Sequence, residues 1–148
     1  MSADRGARYG LSARIAAAAV ALLMGGVIAF QAAIALGAPW GGYTQGGGTS
    51  GQLPVGGRVI AVVSIVILAL LAAGLLARVG WGPLARAPRR LVSVVSWAAV
   101  GYTLVAVLLN LATPSENERM LWAPVSVALA AGSLVTVIGT RRRRMCSN

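Results

Sequence analysis

Four stretches of the chain, residues 15–36, 59–77, 91–111 and 121–140, run for 19 to 22 residues without one charged side chain. At about 1.5 Å of rise per residue, the first reaches roughly 33 Å as a helix, enough for a hydrocarbon core near 30 Å. Lipid offers no partners to backbone N–H and C=O groups, so a stretch crossing it must bond to itself, as a helix does. Composition agrees: 57% of the residues are hydrophobic and only 11% are charged, against roughly 45–50% and about 25% in soluble domains. The expected fold is all-α, a single four-transmembrane-helix bundle running up-down-up-down. The first stretch is longer than the 7–15 apolar residues of a secretory signal. Its small residues Gly37 and Ala38 run straight into Pro39, a poor cleavage context, so it reads as a retained helix.

Arginine placement sets the expected orientation. The net charge is +10 and the chain has no histidine. The basic residues are all arginines, and they sit in short clusters between the apolar runs, a pattern that argues against nucleic-acid binding. Arg5, Arg8 and Arg14 precede the first run; Arg78, Arg86, Arg89 and Arg90 follow the second; Arg141, Arg142, Arg143 and Arg144 follow the fourth. The other two connections hold only Arg58 and Arg119. Eleven against two, in short segments, is expected to place both termini on the cytoplasmic side of the membrane. The expected organisation is a cytoplasmic tail (1–14), one membrane domain (15–140) and a basic cytoplasmic tail (141–148). The outer loops are 37–58 and 112–120, and the inner loop is 78–90. The inner arginines are expected to attract anionic lipid headgroups.

Much chemistry is excluded by what the sequence lacks. Without histidine, with one cysteine (Cys146) and with three acidic residues, no usual metal, haem or Ser–His arrangement can be built. No catalytic residue, metal site or cofactor is expected, and an enzyme would have to work at the outer leaflet with Arg, Glu, Tyr or Ser. None of the four runs carries an ionisable acid or base, as a proton- or cation-conducting path normally would. Small multidrug transporters also have four helices, but they need an acid in the first; here the strongest polar group is Gln31.

Polar residues recur at helical spacing. Ser96, Thr103 and Asn110 are seven apart in the third run, with Ser93 also present; Ser126, Ser133 and Thr140 are seven apart in the fourth, with Thr136 near the same face. A seven-residue step drifts only about 20° around a helix, so each helix should carry a hydroxyl seam suited to close packing and bonds across it. Ser115-Glu116-Asn117-Glu118 is S-x-x-E before an apolar run, a capping box in which Ser115 and Glu118 bond each other's backbone N–H. Pro124 falls inside the fourth helix and is expected to kink it.

One group of polar residues shares a depth near the outer surface. Gln31 and Asn110 lie near the outer ends of helices one and three, and Arg58, Glu118 and Arg119 near the outer starts of two and four. Trp40, Tyr43 and Trp122 are placed to roof or wall a pocket there. These eight are the candidate ligand-binding residues. Glu118 is expected to pair with Arg58, or Glu116 with Arg119, and the arginine excess suggests an anionic or zwitterionic ligand. The competing local roles are interhelical amide bonds and arginines snorkelling to headgroups.

Two stretches carry a resemblance. One is Phe30-Gln31 through Leu36-Gly37-Ala38-Pro39-Trp40-Gly41, with Gly51, Leu53-Pro54 and Arg58. The other is Ala112-Thr113-Pro114-Ser115 with Glu118-Arg119 and Leu121-Trp122-Ala123-Pro124. Together they cover about a third of the chain, and it resembles a group of small four-helix bacterial integral membrane proteins with no assigned activity. The resemblance implies the four-helix fold and no functional residues. The functional expectation is a structural or accessory membrane protein acting through lipid or helix partners, as a homo-oligomer or beside another membrane protein. The alternatives are a small oligomeric permease or channel, and an outer-leaflet enzyme.

Overall fold

The computed structural model of the chain describes residues 10–145 and, for residues 141–145, the backbone alone. The expectations for Arg5, Arg8, Cys146 and the side chains of Arg141 to Arg144 concern positions outside the described residues. The fold is all-helical: α1 (Leu11–Ala35), α2 (Val55–Arg78), α3 (Arg89–Ala112) and α4 (Glu116–Met145), with short 3-10 turns at Gly41–Tyr43 and Pro83–Arg86. Each helix is long and apolar enough to cross a membrane. Every one begins two to five residues before its uncharged run. The first turns, such as Val55-Gly56-Gly57-Arg58, are helical without being apolar.

The first two helices stop in the same way. Beyond α1, Ala38 N–H bonds to Ala33 C=O at 2.9 Å and Gly37 N–H to Ile34 C=O at 3.0 Å. Beyond α2, Trp81 N–H bonds to Leu76 C=O at 2.9 Å and Gly80 N–H to Ala77 C=O at 3.0 Å. This paired pattern needs a left-handed residue, supplied by Gly37 at φ 98° and Gly80 at φ 84°. Pro114 follows α3 and has no backbone N–H with which to extend its hydrogen-bond ladder.

The helices form a ring in which α1 packs on α2 and α4, and α3 on α2 and α4. Val20, Met24, Leu68, Leu71, Leu75, Ala99, Val100, Leu129 and Val137 make the central core. The core is narrow. In no helix is more than 39% of the most apolar window buried, and Leu22, Leu108 and Leu109 stand outside at 66–78% exposure. A surface of that kind suits lipid, and the chain is a multi-pass membrane bundle. Close approach is bought with small residues: a Cβ on Gly132 of α4 would collide with Val20 of α1.

The hydroxyl seams are present but bond differently from expectation. Ser96, Thr103, Ser126, Ser133, Thr136 and Thr140 are all buried. Thr103, Ser126 and Thr136 donate to carbonyls of their own helix. Only Ser96, to Gly74 C=O at 3.3 Å, and Thr140, accepting from Arg78 Nε at 2.8 Å, also bond across a contact. An i−3 or i−4 carbonyl is always within reach of a helical hydroxyl, whereas a neighbouring helix offers a partner only at a few positions.

The two ends of the bundle differ. At one, here the loop end, the α1–α2 connection (36–54) folds over α4 beside Thr113, Pro114 and Ser115. At the other, the arginine end, the Arg14 guanidinium lies 4.9 Å from the centre of the Trp81 ring. Arg86, Arg89 and Arg90 are exposed there.

Candidate functional site

The loop end is built by a strap. Residues 36–54 close on themselves through Gly41 N–H to Gly51 C=O at 2.9 Å. Gln45, in the left-handed region at φ 52°, donates from Nε2 to Gly57 C=O of α2 at 2.8 Å. Three bonds then tie the strap to α4 and to Ser115, which precedes it. Trp122 Nε1–H donates to Tyr43 C=O at 2.7 Å, Ser115 Oγ–H donates to Gly42 C=O at 3.1 Å, and Gly46 N–H donates to Glu118 Oε2 at 2.9 Å. Phe30 of α1 joins the aromatic part, stacked on Trp40 at 5.7 Å and edge-on to Trp122 at 4.7 Å.

Beneath the strap lies a cavity of about 150 Å³, room for several water molecules. Each helix contributes to it. Val27 and Gln31 come from α1, Leu68 from α2, Tyr102, Ala106 and Asn110 from α3, and Glu118, Trp122, Val125, Ser126 and Leu129 from α4. Thr44 of the strap completes the lining. Gln31 Oε1 is buried and has no hydrogen-bond partner. Buried polar atoms are nearly always satisfied, so an orphan beside a cavity needs an explanation.

Of the eight residues expected here, the structure brings four together: Gln31, Asn110, Glu118 and Trp122 line the cavity. Tyr43 contributes its carbonyl to the strap and Trp40 its ring to Phe30; neither lines the cavity. The two arginines are elsewhere, which corrects the expected ion pairs. Arg58 Nε donates to Ala35 C=O at 2.8 Å, and Arg119 Nη1 donates to Thr113 C=O at 3.3 Å. Each arginine starts one helix and reaches back to a carbonyl at the end of the preceding one. Such carbonyls have no intrahelical partner and carry the negative end of the helix dipole.

No family model matches the chain, nor does any curated protein or solved structure.

The cap of α4 is half of the expected box. Ser115 Oγ accepts Glu118 N–H at 3.2 Å. The Glu118 carboxylate does not return to Ser115; its Oε2 accepts Thr113 Oγ1–H at 2.7 Å and Gly46 N–H. The strap outcompetes the local partner, and Ser115 N–H is left with Thr113 Oγ1 at 3.4 Å. The cavity therefore carries a carboxylate and no arginine, the reverse of the electrostatics that suggested an anionic ligand. Thr44 and Tyr102 were not among the expected residues. Tyr102, Ala106 and Asn110 are four apart, one face of a helix, and that spacing was the signal available for Tyr102.

Proposed function

We propose that the chain is an accessory protein of a bacterial plasma membrane that binds a small polar ligand or lipid headgroup at its loop end. In this reading the helices thread up and down, both termini and the 79–88 connection are cytoplasmic, and the strap faces outward. The arginine distribution supports that orientation, and exposed Arg86, Arg89 and Arg90 are suited to anionic headgroups. The binding role is carried by one observation: Gln31, Tyr102 and Asn110 line the cavity with no side-chain hydrogen bond to the protein holding Gln31 Oε1. Polar groups that the fold does not use are available to something else. Binding is favoured over conduction because the arginine half of the bundle is filled by fully buried Met24, Val20, Leu75, Ala99 and Val137.

Two measurements test this reading. Reporter fusions at residues 10 and 148 are expected to mark the cytoplasm and insertions at Gly47 the outside. Protein purified from native membranes is expected to carry a small molecule or lipid detectable by native mass spectrometry. An outward C-terminal reporter would refute the topology, and solute flux through proteoliposomes would make the protein a permease instead.

A further inference from the structure

We propose that the loop-end cavity takes an organic ammonium group, in contact with Glu118, Gln31, Asn110 and the rings of Tyr102 and Trp122. This deepens the binding reading above and rests on it. The lining residues include one carboxylate (Glu118), two amides (Gln31 and Asn110) and three hydroxyl residues, Thr44, Tyr102 and Ser126. Glu118 is buried, and both hydrogen bonds it accepts come from neutral donors onto Oε2. Its other oxygen and Gln31 Oε1 are acceptors of the kind an ammonium N–H seeks. Arg58 and Arg119, the two arginines at the loop end, are engaged with Ala35 and Thr113 carbonyls and contribute nothing to the lining. An anion placed here would meet a carboxylate with no compensating positive side chain, whereas a cation is attracted by that charge, and the aromatic residues Trp122 and Tyr102 of the lining are of the kind that favour a cation.

Two sources carry this chemistry: a free amine, and the headgroup of an aminophospholipid. Tyr102 both lines the cavity and is 38% exposed on the outer surface of α3, so the cavity borders the surface that lipid would cover.

The test is titration calorimetry on the full-length protein in detergent, with ethanolamine, short-chain phosphatidylethanolamine, short-chain phosphatidylglycerol and ethylene glycol. The variants are Gln31→Leu and Glu118→Gln. Gln31→Leu removes an unsatisfied acceptor and so is expected to fold at least as stably as the wild type, and Glu118→Gln keeps an oxygen for Gly46 N–H. We expect an ammonium compound to bind at least ten-fold more tightly than ethylene glycol, and each variant to weaken it at least ten-fold. Equal binding of ethanolamine and the lipid would identify the amine alone as the determinant; binding of the lipid only would identify the headgroup. Gln31-sensitive binding of phosphatidylglycerol or ethylene glycol at equal strength would overturn the ammonium assignment and leave the binding role standing. Absence of any Gln31-sensitive binding would remove both.

Discussion

Gly46 and Glu118, 72 residues apart, are joined by a 2.9 Å hydrogen bond from the loop backbone to the first turn of α4. The bond makes one carboxylate serve two elements, since the same oxygen accepts from Thr113 at the end of α3. Strap, helix start and cavity wall are therefore mechanically one unit.

Ser115 holds that unit from the other side, accepting Glu118 N–H and donating to Gly42 C=O. Loss of a serine N-cap costs about 0.5–2 kcal/mol. Ser115→Ala is expected to lower the melting temperature in detergent and leave membrane insertion intact. An unchanged melting temperature would mean that Pro114 and the remaining strap bonds suffice.

Trp122→Phe keeps a ring against Phe30 but deletes the N–H that reaches Tyr43 C=O. A neutral hydrogen bond contributes about 0.5–1.5 kcal/mol net. We expect a modest stability loss together with faster proteolysis within residues 36–54. Equal cleavage rates would show that the indole is not what holds the strap down.

Arg58 separates the two views of the loop end. As a cap on Ala35 C=O it is structural. Arg58→Met should destabilise the bundle by about 1–2 kcal/mol, as for a charged hydrogen bond that is half-buried. It should leave ligand affinity within about two-fold, the scatter of a remote substitution. A ten-fold affinity loss would return Arg58 to the binding site.

Helix contact is tested by two glycines. Gly132→Ala should destabilise by about 1–3 kcal/mol, because the added Cβ meets Val20 in a packed core. At Gly25 the same change meets nothing within 4 Å, and alanine is the better helix former. Equal effects at both positions would contradict the α1–α4 packing.

The apolar spans were legible because a single physical demand, self-satisfied backbone in lipid, writes itself as an uncharged run of fixed length. Helix starts were not, since Leu11 to Arg14 and Glu116 to Met120 are held by helical hydrogen bonding that hydropathy does not record. Within the site, the depth of Gln31, Asn110, Glu118 and Trp122 could be counted along the helices. The partners of Arg58 and Arg119 could not. An arginine at the right depth is drawn to whichever acceptor lacks a partner, and the orphan carbonyls of Ala35 and Thr113 appear only once helix ends are fixed. Thr44 was invisible for a related reason: its place under the strap depends on a backbone reversal at Gln45 that no periodicity encodes.

The most direct measurement is thiol labelling of a single cysteine at Ala106, which lines the cavity, with Cys146 replaced by serine. Ala99, fully buried in the core, serves as the comparison. A small water-soluble thiosulfonate added from the outside should modify Ala106→Cys rapidly and Ala99→Cys at least ten-fold more slowly. Ala106→Cys should also be protected by the bound ligand. Equal, slow labelling at the two positions, unchanged by ligand, would contradict a polar, outward-reached cavity at the loop end.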